Sequence, residues 1–142
     1  MSALEIRLTL ENRPGVLQKV TDALKIEGVN IRAIAVCDRR EEASVHIMVD
    51  DHEKACNALA SAGFAFTSSE VIAVEIPDHP GGLHAVLSAL KEEQINVLHV
   101  YTYLGRSGDN AILLLGVDEH EKAIAVLKRN WVHVLDEEIY GL

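Results

Sequence analysis

Val49-Asp50-Asp51-His52-Glu53-Lys54-Ala55 returns as Val117-Asp118-Glu119-His120-Glu121-Lys122-Ala123, and from 49 to 117 the shift is 68 residues. Pro14-Gly15 returns as Pro80-Gly81 at a shift of 66, so two residues were inserted between the anchors. Leu17, Val20, Leu24 and Asn30 recur as Leu83, Val86, Leu90 and Asn96 at the shorter shift, and Leu59 recurs as Leu127 at the longer one. The chain is a duplicated unit of about 70 residues, and a duplication sets the frame for every other feature. The expected domains are residues 1–69 and 70–142. Ser68-Ser69-Glu70 between them is too short to act as a flexible linker.

Outward from these anchors, each half spells the same order of elements. Leu4-Ile6-Leu8-Leu10 alternates with Glu5-Arg7-Thr9-Glu11, the period of a half-buried strand, and Ile72-Val74-Ile76 is its copy. Pro14-Gly15 then opens a helix whose apolar stripe is Val16, Leu17, Val20, Ala23 and Leu24, with Gly28 placed to end it in a left-handed conformation. In the second copy Gln94 stands where that glycine would be, a less comfortable end. Strands are expected at Ile31–Cys37 and Glu42–Val49 and again at Val97–Leu104 and Asn110–Val117, the last pair joined around Gly105-Arg106-Ser107-Gly108. A second helix, Asp51–Ala62 or Glu119–Asn130, and a last strand near Phe64–Ser68 or Val132–Glu137 complete each half.

Strand, helix, strand, strand, helix, strand, with right-handed crossovers, folds into a four-stranded antiparallel sheet carrying both helices on one face. The fold class is α+β, two tandem ferredoxin-like βαββαβ units. Ala33, Ala35 and Cys37 in the first half face His99, Tyr101 and Tyr103 at corresponding places in the second. Small residues on one edge and aromatics on the other predict sheets joined edge to edge into one eight-stranded sheet. The tyrosines are expected to pack rather than to close over a ligand. Away from the helices the first half shows Glu5, Arg7, Thr9, Ser44 and His46, whereas the second shows Val71, Ala73, Glu75, Ile112 and Leu114. So apolar a face is expected to be covered by another subunit, the alternative cover being the chain's own Ile139-Tyr140.

Twenty-two acidic residues against 13 basic give a formal net charge of −9, which argues against nucleic acid and anionic membrane as partners. With no basic leader and no spanning apolar run, a cytoplasmic location is expected. Cys37 and Cys56 have no counterparts in the second half and are expected to be buried free thiols. No catalytic residue is assigned: the serines lack a GxSxG or SxxK context, and no P-loop or GxGxxG occurs. A small acylphosphatase-like hydrolase is the remote enzymatic reading, since Asn12-Arg13 supplies that chemistry's residue types without a glycine-rich loop. His52 and Cys56, four apart, are ligand types for a metal, but the second copy offers His120 with Ile124, so no metal and no cofactor is expected.

The residues singled out by both copies, Asn12-Arg13-Pro14-Gly15-Val16-Leu17 and Asp78-His79-Pro80-Gly81-Gly82-Leu83, lie where a helix N-terminus offers unpaired N–H groups to an anion. An apolar strand, Asn-Arg-Pro-Gly-Val-Leu, an amphipathic helix, Gly-Val-Asn-Ile and another strand resemble an ACT domain, a module through which enzymes of amino-acid metabolism sense amino acids. The resemblance covers both halves. It implies a non-enzymatic regulatory protein that binds a free amino acid between paired units; the homodimer is expected from the apolar face of the second half. One site would use Asn12, Arg13, Gly15, Val16 and Leu17 with Asn30 and Ile31; the other Asp78, His79, Gly81, Gly82 and Leu83 with Asn96 and Val97. Backbone N–H groups after Gly15 or Gly81 would hold the carboxylate, and an Asn side chain, a carbonyl or Asp78 the ammonium. Because Arg13 faces His79 and Asn12 faces Asp78 between the copies, one site is expected to dominate. The alternative the resemblance implies is a regulatory subunit that docks on a biosynthetic enzyme such as acetolactate synthase.

Overall fold

The computed structural model describes residues 3–104 and 108–141; the expected turn at 105–107 lies outside them. By contact density the chain divides into two compact units, Leu4–Ser69 and Glu70–Leu142 with the first three residues. The first unit contains β1 (Ala3–Glu11), α1 (Val16–Ile26), β2 (Ile31–Arg39), β3 (Glu42–Val49) and α2 (His52–Ser61). The strand β4 (Thr67–Pro77) leads into α3 (Gly82–Glu92), β5 (Val97–Thr102), β6 (Asn110–Val117), α4 (His120–Arg129), β7 (His133–Leu135) and a 3-10 turn, Glu137–Gly141. Seven strands therefore stand among the described residues where eight were expected. Ser68-Ser69-Glu70 contains no residue that turns a chain, so Thr67 and Ser68 continue directly into the second unit's first strand. Phe64 and Phe66 pack on the first core without forming ladder bonds of their own.

In the first unit β3 lies between β1 and β2, antiparallel to both. In the second, β4 pairs with β6 and β7, and β5 pairs with β6, again all antiparallel. β2 and β5 hold a ladder partner within their units on one side only, and each carries a bulge at its start, between Ile31 and Ala33 and between Val97 and His99. The period-two pattern decides which residues go inward. Ile6, Leu8, Leu10, Val45 and Ile47 meet Val20, Leu24 and Leu59 in one core, and Ile72, Val74, Ile76, Leu113 and Leu115 meet Val86, Leu90 and Leu127 in the other. Full burial of a leucine such as Leu24 or Leu90 contributes roughly 1.5–3 kcal/mol, so the helical stripe is the main device holding each helix to its strands.

The small-versus-large difference between β2 and β5 is met inside each unit. Ala33 pairs with Met48, whereas His99 pairs with Gly116. The His99 ring lies on that glycine: a Cβ built there would sit 2.0 Å from its Cε1. The large side chain has moved from one strand of the pair to the other, conserving volume. His99 also stacks on Tyr101, with ring centroids 5.9 Å apart.

Helix ends follow the sequence closely. Gly28 adopts φ 72°, and Gln94 occupies the same left-handed region at φ 57°. Trp131 does likewise at φ 64°, in the place Gly63 holds in the first unit at φ 84°. A side chain in this region costs of order 1–2 kcal/mol relative to glycine. Two helix ends of the second unit therefore carry strain that their first-unit counterparts lack.

Candidate functional site

Both helix-entry turns are built by a glycine in the left-handed region, Gly15 at φ 88° and Gly81 at φ 90°, each the residue before its helix. The N–H directly after each glycine closes the turn, Val16 to the Arg13 carbonyl at 3.4 Å and Gly82 to the His79 carbonyl at 3.1 Å. The next helical bonds begin at Lys19 and Ala85, to the carbonyls of the glycines. Leu17 and Gln18 in one turn, and Leu83 and His84 in the other, thus keep backbone N–H groups with no backbone acceptor among the described residues. The first N–H left without a backbone acceptor is one position further along than the residue following glycine.

The polar side chains of the two turns have different fates. In the first unit the Asn12 amide donates to Asp38 Oδ1 at 2.7 Å and to the Arg40 carbonyl at 2.8 Å, and its backbone N–H donates to Glu41 at 2.8 Å. Asp38 also accepts the Arg40 N–H at 2.8 Å. Asn12 is thereby tied to the β2–β3 turn. Arg13 is paired with Glu11, and the hydrogen bond from its guanidinium, together with its charge, holds the Glu11 carboxyl below the usual range. In the second unit His79 Nδ1 lies 2.9 Å from the Pro80 carbonyl, and Asp78 is exposed with no side-chain partner among the described residues. Leu17 and Leu83 are equally exposed, at 36%, while Val16 and Gly82 are buried. Gly82 has a packing reason as well, since a Cβ there would stand 2.3 Å from the Pro77 carbonyl oxygen.

Asn30 and Asn96 precede Ile31 and Val97, the first residues of β2 and β5. Asn30 N–H donates to Asp50 Oδ1 at 2.9 Å and its carbonyl accepts from Asp50 N–H at 3.0 Å; Asn96 and Asp118 repeat this at 3.0 and 3.2 Å. This reciprocal clamp uses backbone atoms of both asparagines and leaves their side-chain amides without partners among the described residues. The repeated aspartates of the opening motif, Asp50 and Asp118, are therefore the pins that fix each strand start.

Beside Asn96 the second unit opens a groove of about 570 Å³ between α3 and the start of β5, lined by residues of the helix from His84 to Lys91 and by residues 94–97. Of the expected site residues, only Asn96 and Val97 line it. The sequence signal is present at the 66-residue shift, where Gln18, Thr21 and Asp22 become His84, Leu87 and Ser88.

The outer face of the second unit is already buried within the chain, so the expected covering subunit is not needed there, and the C-terminal segment reaches this face at Tyr103. Ile112, Leu114, Val71 and Ala73 are wholly buried, Leu135 pairs beside Ala73, and Ile139 is 0% exposed. The Tyr103 hydroxyl donates to the Ile139 carbonyl at 2.9 Å. Tyr103 packs, as expected. His133 approaches Glu75 at 2.6 Å and Glu138 at 3.7 Å along the same edge. The last strand, expected near Val132–Glu137, is the short β7, which pairs with β4.

Cys37 is exposed rather than buried, because it pairs with Ser44 on the outward side of an edge strand. Cys56 is half-buried, its Sγ 3.5 Å from His52 Nε2, and Ser68 Oγ lies 3.0 Å from the same nitrogen. Burial lowers the His52 pKa from its ordinary value. In the second unit Glu70, His120 and Glu121 bring ligand-type atoms within 4.8 Å of one another on a hydrated surface.

The chain belongs to the ACT domain pair family, whose model matches residues 1–141. Among solved structures it is similar to protein BT0572 from Bacteroides thetaiotaomicron, with 29% identity, a TM-score of 0.92 and coverage of 100% of this chain and 98% of that one. The regulatory subunit of aspartate kinase from Thermus thermophilus, in its ligand-free form, shares the fold at 17% identity, TM-score 0.65 and coverage of 91% and 92%. The aspartate kinase of Clostridium acetobutylicum shares it at 15% identity and TM-score 0.54, over 90% of this chain and 32% of the kinase. No curated protein matches the chain. No helix among the described residues is long and apolar enough to cross a membrane.

Proposed function

We propose that this chain is a non-enzymatic regulator that binds a free amino acid at its helix-entry turns, the second turn dominating. The observation that carries this reading is the pair of unpartnered N–H groups at Leu83 and His84, held open by Gly81 beside a carboxylate, Asp78, that no neighbour among the described residues engages. Two N–H donors at a helix start suit an α-carboxylate, and Asp78 or the Asn96 amide suits an α-ammonium. The first turn has the same donors, but its Asn12 is committed to Asp38 and Arg40. Membership of the ACT domain pair family supports the regulatory role, and similarity in fold to aspartate kinase regulatory subunits is consistent with it.

Signalling would follow from linkage: a ligand that binds one arrangement of paired units more tightly shifts the population toward it. The edges of β2 and β5 are where a second copy would join. Ile34 and Val36 beside one edge and Leu98 and Val100 beside the other are exposed by 38–59%, more apolar surface than an edge left in water ordinarily presents. A second reading, a subunit that docks on an amino-acid biosynthetic enzyme, is favoured by Trp131. It is 95% exposed and holds a left-handed conformation that its glycine counterpart adopts without strain. Exposed tryptophans anchor protein interfaces more often than most residues.

A thermal-shift screen of the free amino acids at millimolar concentration tests the first reading. A ligand at ~100 times its dissociation constant adds ~2.7 kcal/mol of stability. One amino acid or a related pair should raise the melting temperature, and Gly81→Val should abolish the rise more completely than Gly15→Val. If no amino acid does so while an enzyme co-purifies through Trp131, the docking reading replaces it.

A further inference from the structure

The groove between α3 and β5 has features that the helix-entry turn does not need. His84, Leu87, Ser88 and Lys91 follow one another at helical spacing, so they form a single stripe along the helix. Gln94, in the left-handed region, folds the chain back, and the Ile95 N–H reaches the Leu90 carbonyl at 3.0 Å. That return sets the strand start against the helix and leaves a cleft with an apolar floor of Leu87, Ile95 and Val97. Its volume, about 570 Å³, falls within the range of small-molecule sites.

Charge narrows the occupant. The chain carries 22 acidic residues against 13 basic, yet no acidic residue lines this groove. Lys91 is there without an ion pair among the described residues. The Asn96 side-chain amide likewise has no partner among them, and the Ser88 hydroxyl lies 3.3 Å from His84 Nε2. The first unit supplies an internal contrast. Its equivalent positions read Thr21 for Leu87 and Asp22 for Ser88, which would remove the apolar floor and set an acid three residues from Lys25, the Lys91 equivalent.

We propose that this groove is a binding site for a small organic monoanion with an aliphatic body, its carboxylate on Lys91 and Asn96 and its chain over Leu87, Ile95 and Val97. The site shares Asn96 with the amino-acid reading but needs neither Asp78 nor the helix-entry N–H groups, and its ligand need carry no ammonium. Lys91 sets the sign of the ligand charge, and Leu87 and Val97 select for aliphatic over polar bodies.

The test is a titration of the full chain, followed by amide chemical shifts, with 4-methylpentanoate and with its uncharged amide. The acid should perturb residues 87–97 and bind more tightly than the amide by roughly fivefold, the upper end for a partly exposed ion pair. Lys91→Gln should remove that preference, Ser88→Asp should abolish binding by restoring the first unit's charge, and Asp78→Asn should leave it intact. Equal binding of acid and amide, or an unchanged preference in Lys91→Gln, would overturn the proposal. So would an acid whose shifts centre on residues 78–84 and vanish in Asp78→Asn, and that result would leave the helix-entry reading standing. Shifts confined to residues 87–97 with no response to any amino acid would do the reverse.

Discussion

The two copies of one turn have been put to different uses. In the first unit, Asn12 and Arg13 are spent on the protein itself, one on Asp38 and Arg40 and the other on Glu11. In the second, the His79 ring reaches among the described residues only the adjacent Pro80 carbonyl, and the Asp78 side chain has no described partner. The two glycines hold nearly the same conformation, Gly15 at φ 88° and Gly81 at φ 90°. Duplication therefore conserved the device that opens the helix N-terminus while the side chains around it diverged, one set toward stability and the other toward availability. The outer faces diverged in parallel. Arg7, Thr9, Ser44 and His46 make the first polar, whereas Val71, Ala73, Ile112 and Leu114 make the second apolar and are buried.

The largest expected effect sharpens the contrast of faces. Ile139→Ala should destabilise the chain by about 2–5 kcal/mol, because a wholly buried aliphatic side chain is removed from a packed site. Hydrogen exchange should show β5 and β6 losing protection well before β1 and β3; equal loss in both units would deny that the C-terminal segment serves the second unit. Next, Gly82→Ala should cost about 1–3 kcal/mol by chemical denaturation, since the new Cβ meets the Pro77 backbone oxygen and not a movable side chain. A neutral result would mean that the helix start has slack the geometry does not show.

Smaller effects come from the helix ends. Gln94→Gly should stabilise by about 1 kcal/mol and Gly28→Ala should destabilise by a similar amount, because both positions are left-handed and only one now holds glycine. Melting curves that moved in the same direction for both would break the comparison. The smallest effect is one of pH. Burial lowers the His52 pKa below its ordinary 6.5, so the unfolded chain takes up the proton more readily than the folded one. The associated stability is present in full above the unfolded value and declines as pH falls through it toward the folded value. His52→Gln should flatten that part of the pH–stability curve, measured by thermal melting between neutral and mildly acid pH.

Much of the fold was legible because duplication repeats its own signals. Val20 and Val86, Leu24 and Leu90, Leu59 and Leu127 mark the same helical stripes twice, and each pair reaches its core. Gln94 in a glycine position announced a strained helix end, and φ 57° is what that substitution produces. The extra strand failed to appear because a break between strands needs a turn residue, and Ser68-Ser69-Glu70 has none. The C-terminal cover was offered only as the lesser of two alternatives, since β7 has three residues and the following 3-10 turn has no period to read. At the site, Pro-Gly located the turn but not which side chains stay free. That depends on Asp38 and Arg40, which the topology brings to Asn12 from 26 and 28 residues away. The α3 groove escaped notice because a cleft is a property of two elements, and no single stretch of sequence contains it.

The measurement that bears most directly on the account is a calorimetric titration of the amino acid found by screening, into the natural chain, Asp78→Asn and Asn12→Asp. The account predicts that Asp78→Asn weakens binding about tenfold or more, the size of a lost hydrogen bond to a charged group, and that Asn12→Asp changes it little. Unchanged affinity in Asp78→Asn, with binding lost in Asn12→Asp, would contradict it and assign the working site to the first unit.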